Sequence, residues 1–461
     1  MGGLATVALA VTTGFQVAPA GDSMADAGAS DQNATNTRVG ADASTTARRT
    51  RRRSERAMWV TSVAPGVGRL SGVPAVDVVV VGGGVIGCAC ARELASRGLR
   101  VSLVEREALA AGASGRNHGL LSMPTDPVLA PMTHRSLEAY LDLAQDPPLP
   151  LRVHRDPLGL LVVAGDERER VDARAEAEAA QACGVAAQRL DGPALAEAEP
   201  GLADDLEEGW LLADGRLVDP AALTIALALQ AGAAGAEIRR HLAARSLITS
   251  RDRVCGVVTD EGPIEAGAVV VAAGPWSTNL VRPLGVDLPI TPARGWLVHL
   301  RPAAPLLRHV VERAGWHALP GEDPMPPVLA GEVAGNVDAP VLGSVMQQNP
   351  DGTVLAGSSR QAAYSTEPED ASIPREIVRR AIRLVPAAEK ARVLGSWWGI
   401  RPMTPDSLPI VGPVRDGLLV ATGHGSFGVT LAAGTASLVA AAVTGEEPPL
   451  DPTPFLPDRF A

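Results

Sequence analysis

Lysine is nearly missing from this chain of 461 residues: Lys390 stands alone, while arginine and alanine abound. That imbalance reads as a bias of composition rather than a functional signal. Cysteine is scarce as well. Cys88, Cys90, Cys183 and Cys255 show no Cys-x-x-Cys spacing, which argues against iron–sulfur or zinc ligation and offers no disulfide framework. No metal is expected. No run of about 18 apolar residues occurs, so no membrane span is expected either. Positive charge is in deficit, with a net charge of −11, and gives no electrostatic reason to expect nucleic acid. What remains, 46% hydrophobic and 20% charged residues, describes a soluble acidic globular protein too long for one small core. The cytoplasm is the expected location, with peripheral membrane association left open.

Residues 1–73 are expected to be a disordered extension. Asp22 to Thr46 is rich in small and polar residues without apolar periodicity, and Arg48 to Arg56 is a basic run. Leu4 to Val17 is mildly apolar, but no positive segment precedes it as a secretory signal requires, and Met58 is an alternative start.

The richest signal begins at Val78-Val79-Val80-Val81, a strand buried on both faces, followed at once by Gly82-Gly83-Gly84-Val85-Ile86-Gly87. A helix through Cys88 to Ala95 follows, stopped by Gly98, and then a strand from Arg100 that ends in Glu105. Gly82 permits the tight turn, Gly84 lets backbone approach a pyrophosphate, and Gly87 lets helix and strand pack closely. Glu105 lies about 20 residues on, where a carboxylate accepts ribose hydroxyls and repels a ribose 2′-phosphate. NADP is therefore disfavoured, whereas NAD and FAD are not separated by this unit.

Ala110 to Gly119 is a loop of minimal side chains that implies close wrapping around something. Strands are expected at 159–163, 254–258 and 268–274, and helices at 167–182, from Pro193, and from Pro220 to about Ala231 behind the Asp219 cap. From Pro289 the pattern changes to short alternating strands at 297–300, 341–346 and 354–357, which is antiparallel sheet. Ile373 to Leu384 is an amphipathic helix. Gly417 to Gly428 then reads again as strand, glycine turn and helix. The fold class is α/β: a discontinuous Rossmann-like domain with an antiparallel-sheet substrate domain inserted into it.

Four motifs in this order resemble the FAD-dependent D-amino-acid oxidase family, which includes glycine and sarcosine oxidases and bacterial D-amino-acid and hydroxyproline dehydrogenases. They are the dinucleotide unit with Glu105, Ala113 to Gly119, Val270 to Trp276, and Trp398 to Asp406 taken with Gly423 to Thr430. The resemblance runs from about Val76 to Phe460 and implies FAD as cofactor. It also implies FAD-binding segments at 74–135, 211–288 and 395–461, and substrate segments at 136–210 and 289–394. The implied cofactor set is Gly82, Gly84, Val85, Ile86, Gly87, Glu105, Arg106, Ser114, Arg116, Asn117, His118, Gly274, Trp276, Gly423, His424, Gly425, Ser426, Gly428, Val429 and Thr430. A histidine in this early loop bonds flavin covalently in some relatives, but the motif departs from theirs, and non-covalent FAD is expected. The helix after Gly425 would turn its free N–H groups toward the pyrimidine edge of the flavin, where charge develops on reduction.

Arg401 resembles the family arginine that holds the substrate carboxylate, a task suited to a guanidinium fork. The alternative for it is a structural ion pair with Asp406 or with the flavin. Arg294 is a second candidate, and His299, Tyr364 and Gln347 are expected to be wall residues. The implied reaction oxidises the C–N bond of a small amino acid or secondary amine (a D-amino acid, glycine, sarcosine, D-proline, hydroxyproline or an opine). Hydride passes to flavin N5 and the imine is hydrolysed in water, so no general base is required. A dehydrogenase is favoured over an oxidase, the electron acceptor being a quinone, a partner redox subunit or oxygen. Two other readings stand beside it: a flavin-binding subunit without activity of its own, and an NAD-dependent dehydrogenase. The C-terminal glycine–helix block argues against the second.

Overall fold

A computed structural model describes residues 76–151, 153, 156–318, 341–362 and 372–460, so the expected extension at 1–73 and Tyr364 lie outside the described residues. The valine run forms β1 (Val76–Val81), and the glycine turn opens α1 (Val85–Ser96) and leads to β2 (Val101–Glu105). β3 (Leu120–Leu121) and α2 (Ala130–Leu143) follow, the latter not anticipated from the sequence. The chain then builds β4 (Leu160–Ala164), α3 (Glu167–Ala182), β5 (Ala187–Asp191), α4 (Gly192–Ala198) and β6 (Glu208–Leu212). It returns through β7 (Arg216–Leu217), α5 (Pro220–Ala233), β8 (Glu237–Arg240), β9 (Ala244–Ser250), β10 (Arg253–Thr259), β11 (Gly262–Val271) and α6 (Ser277–Val281). A second excursion comprises β12 (Thr291–Arg301), β13 (Val310–Ala318), β14 (Val341–Gln348), β15 (Val354–Ala362), α7 (Ser372–Leu384) and β16 (Arg392–Met403). β17 (Ile410–Arg415), β18 (Leu418–Thr422) and α8 (Gly428–Thr444) finish the first layer.

One sheet runs β17-β18-β11-β1-β2-β8, parallel except where β17 meets β18, with β10 and β9 extending from β11. Residue Val80 at its centre is fully buried, as a strand covered on both faces must be. Helix α8 is buried around almost its whole circumference, between α1 and α2. Gly434 makes that crossing possible: a Cβ there would lie 2.2 Å from Met132 Cγ. Ser136 Oγ accepts the Gly434 amide and Tyr140 donates to the Val429 carbonyl at 2.7 Å, which pins α2 across the first turns of α8. All four cysteines are free and buried, Cys88 and Cys90 in the face of α1 that packs into the core.

The second sheet runs β16-β12-β15-β14-β13-β4-β6-β5. It is antiparallel as expected, with one correction: β13 and β4 pair in parallel. These two strands come from separate excursions out of the first layer, so no hairpin constrains their relative direction. Three of the expected segment boundaries fall inside elements. Residue 135 lies within α2, 210 within β6 and 394 within β16, and residues 395–403 pair with β12 in the second sheet. A hydrogen-bonded element is one cooperative unit, so the crossings between layers sit in the loops instead. Among the described residues, no helix is long and apolar enough to cross a membrane.

Candidate functional site

The glycine turn is held by contacts that admit no side chain. Gly82 adopts φ +117°, and a Cβ there would lie 2.4 Å from the Ala272 carbonyl oxygen; at Gly87 it would lie 1.9 Å from the Gly82 oxygen. Gly83, not singled out in the sequence, is equally constrained, since a Cβ would meet the Glu105 side chain at 2.8 Å. Glu105 accepts the Gly83 amide at 2.6 Å and the Glu107 amide at 2.8 Å, so its carboxylate is fixed at the end of β2. Helix α1 begins with no side-chain cap from Gly84 and no acid in its first turn, while Ser114 Oγ receives the Val85 amide at 2.9 Å. Helix α8 likewise begins uncapped and without an acid. Two open helix N-termini and a fixed carboxylate after the first βαβ unit suit the pyrophosphate, flavin edge and ribose of FAD.

The loop that follows is largely self-contained. Asn117 donates to the Ala113 and Ser114 carbonyls at 2.9 and 3.1 Å and accepts the Gly119 amide at 2.7 Å, so its side chain closes its own turn. Arg116 donates to the Trp398 carbonyl at 3.2 Å and thereby ties this loop to β16. Arg106 lies 4.0 Å over the Trp276 ring, joining two residues of the expected set. The ring of His424 is buried, bonds Thr435 Oγ1 at 2.9 Å, and is pushed by burial down to about 3. It braces α8 from within. Its neighbour Gly423 takes φ +76° with the Thr404 methyl 2.6 Å from a Cβ, and Gly425 donates to the Pro402 carbonyl at 3.0 Å. Thr430 is buried and borders a cavity of about 280 Å³ that also touches His134, Asp214 and Arg216.

His118 and Gln347 lock each other. The Gln347 amide nitrogen donates to the His118 carbonyl at 2.8 Å and to Asn349 Oδ1 at 3.2 Å, which leaves its oxygen facing His118 Nδ1 at 3.0 Å. Nδ1 must then carry the proton. Nε2 is buried without a hydrogen-bond partner among the described residues, beside Gly357, where a Cβ would lie 2.9 Å away. Burial, helped by the charge of Arg401 and opposed by the Gln347 bond, takes the imidazole down to about 4, so it is neutral at physiological pH. Gln347 is thus a support for the early loop rather than a mere wall. His299 lies edge-on to Trp397, with ring centroids 5.9 Å apart.

Arg401 sits on β16 opposite Ala293 and crosses β12 to reach β15. It donates to the Ser359 carbonyl at 3.1 Å and to Ser358 Oγ at 3.4 Å. Its floor is Gly295, where a Cβ would meet Nη1 at 1.8 Å. Burial and then the charge of Arg360 lower the guanidinium to about 9, which leaves it charged at neutral pH. The ion pair with Asp406 does not form, because Asp406 pairs with Arg459 at 2.7 Å. Arg294 is not brought to Arg401. It precedes Gly295 on β12 opposite Ile400, so it points from the other face and stacks 4.8 Å over Trp398.

Known proteins give the same organisation. The family model described as FAD dependent oxidoreductase (DAO) matches residues 77–442. Glycine oxidase of Pseudomonas aeruginosa is 31% identical over 399 residues, covering 82% of this chain and 98% of the relative. D-amino acid dehydrogenase of Paramagnetospirillum magneticum is 30% identical over 442 residues, covering 83% and 98%. The crystal structure of glycine oxidase from Geobacillus kaustophilus superposes with a TM-score of 0.72 at 29% identity, covering 83% of this chain and 98% of that one.

Proposed function

The chain belongs to the DAO family of FAD-dependent oxidoreductases, and on that premise we propose that it oxidises the C–N bond of a small amino acid or secondary amine held by its carboxylate on Arg401. FAD-dependent oxidation of amino acids or amines is the activity of the family. The observation that carries the finer reading is the set of partners of Arg401. Among the described residues these are a carbonyl and a hydroxyl, with no carboxylate, so its charge is left for an incoming anion. A buried guanidinium with neutral partners favours a carboxylate that replaces the water it lost.

Each part of the chain has a distinct task in this proposal. Glu105, the amides opening α1 and the Ser114 loop would hold the adenosine end of FAD, and the open start of α8 would serve the flavin. Bound FAD supplies the two-electron acceptor. Arg401 sets which end of the substrate lies where, so the carbon that loses hydrogen is presented in one orientation. His118, neutral and locked by Gln347, keeps the wall beside Arg401 uncharged, and a second cation does not compete for the carboxylate from that side. The imine product leaves to react with water.

For the electron acceptor, a quinone or partner protein is proposed over oxygen. The 30% identity to the D-amino acid dehydrogenase of Paramagnetospirillum magneticum supports this, beside glycine oxidases of similar identity. Anaerobic mixing of the holoenzyme with glycine, sarcosine, D-amino acids, proline isomers and opines tests the reaction through bleaching of the flavin. No bleaching by any of them would leave the flavin-binding-subunit reading in its place. Stoichiometric peroxide in air would make the protein an oxidase.

A further inference from the structure

The tips of Arg401 and His118 end on three consecutive residues of β15. Nη1 of Arg401 donates to the Ser359 carbonyl and Nη2 to Ser358 Oγ, while His118 Nε2 stands against Gly357. Both tips lie on one face of the second sheet. Arg401 crosses β12 over Gly295, and a Cβ on Gly357 would meet both His118 Nε2 and the side chain of Leu297. Positions 295 and 297 share a face of β12, whose pairing with β16 is regular from Thr291 to His299. The charge of Arg401 is felt at His118, where it helps burial to lower the imidazole. The loop that carries His118 also packs on this sheet, Arg116 lying against Gly399 and donating to the Trp398 carbonyl. His118 therefore stands where the expected cofactor loop adjoins the substrate anchor.

The two tips are opposite in kind. A guanidinium only donates, through five N–H groups. His118 presents an acceptor, because the Gln347 amide nitrogen is committed to the His118 carbonyl and to Asn349, which fixes the ring proton on Nδ1. Nε2 keeps its lone pair and has no donor among the described residues. A buried acceptor without a donor is costly, and such groups are few in native proteins. An imidazole can answer that need by taking up a proton, but burial and the neighbouring charge of Arg401 oppose it here.

An α-amino acid carries a carboxylate and an N–H on the same carbon, and a cation beside a lone-pair acceptor is the complement of that pair. We propose that His118 Nε2 accepts an N–H of the substrate amine while Arg401 holds the carboxylate. This rests on the reading of Arg401 as the substrate anchor and adds the residue that holds the nitrogen. With both ends held, the substrate cannot turn about its carboxylate, and the carbon between them is presented one way. No proton changes hands in this contact.

Pyrrole-2-carboxylate and furan-2-carboxylate test it. Beside the carboxylate one carries a ring N–H and the other a ring oxygen, and neither offers an amine C–H to oxidise. Binding of each is read by its perturbation of the visible spectrum of FAD in the holoenzyme. Pyrrole-2-carboxylate should bind on the order of 10-fold tighter or more, because the furan oxygen leaves Nε2 without a donor. His118→Phe keeps a ring and removes the acceptor, so the ratio of the two affinities should fall close to one. His118→Gln offers an oxygen near the place of Nε2 and should restore part of it. Equal affinities in the unmodified protein would overturn the inference, as would a preference that survives in His118→Phe. If the phenylalanine variant does not retain FAD, the comparison in the unmodified protein decides alone. Bleaching of the flavin by amino acids is scored in parallel. Bleaching together with equal affinities removes this inference and leaves the parent reading intact. No bleaching by any amino acid and no binding of either probe removes both.

Discussion

The guanidinium of Arg401 rests on the Cα of Gly295. The two residues belong to neighbouring strands, and a Cβ built on Gly295 would lie 1.8 Å from Nη1 of Arg401. The glycine thus decides where the arginine can place its charge. Gly295→Ala should displace the fork by roughly an ångström and lower kcat/KM by up to about 100-fold, while FAD content stays near normal. Steady-state kinetics alongside the visible spectrum checks both. An alanine variant with unchanged kinetics would show that the position of the fork is immaterial.

Arg401→Ala removes the charge and the fork, and Arg401→Lys only the fork. Truncating one partner of a buried charged pair costs roughly 2–5 kcal/mol, so the alanine variant should lose on the order of 30-fold or more in kcat/KM, with lysine between. Amines without a carboxylate provide the control. Equal losses for them and for amino acids would show that Arg401 acts on the structure or the flavin instead.

Glu105 fixes two backbone amides and is the proposed acceptor for the ribose hydroxyls. Glu105→Ala should weaken FAD by roughly 1.5–3 kcal/mol, the range for a hydrogen bond to a charged group. Titration of the apoprotein with FAD measures this directly, and an unchanged dissociation constant would remove the role.

FAD should be released by acid precipitation, leaving a colourless pellet. His118 is the candidate for covalent attachment, yet its Nδ1 is taken by Gln347 and its Nε2 lies against Gly357. Neither nitrogen is open to carry a flavin. Yellow colour remaining in the pellet would contradict this arrangement.

Acid should destabilise the fold through its buried imidazoles. His118 and His424 fall from an ordinary 6.5 to about 4 and about 3 in the folded chain. Unfolded, both take up protons near 6.5, so the stability that they contribute is complete above that pH. It declines as pH falls toward 4 and 3. Thermal unfolding between pH 7 and 4 should show this, and His424→Gln should flatten the decline. A variant whose melting temperature falls as steeply with acid would clear His424.

The first βαβ unit was legible because its signals are local. Four valines, a glycine turn, a helix and a terminal acid follow one another within a few dozen residues, and each constrains its immediate neighbours. The cap Asp219 before Pro220 was legible for the same reason, and its carboxylate does accept the Ala221 and Ala222 amides. Helix α2 escaped notice because its buried residues make sense only against Gly434 of α8, far along the chain.

The sequence by itself determined the nucleotide turn, the acid at the end of β2, the inserted sheet and the supply of arginines that a carboxylate needs. Tertiary structure alone decided which arginines meet. Arg401 and the second candidate Arg294 point from opposite faces, whereas Arg360, unremarked in the sequence, shares the face of Arg401. The reason is register. Side chains alternate along a strand, so one residue of offset exchanges faces, and an irregularity between Arg294 and Leu297 shifts the pairing of β12 with β15. That offset arises from the fit between strands dozens of residues apart, and no local stretch of sequence encodes it.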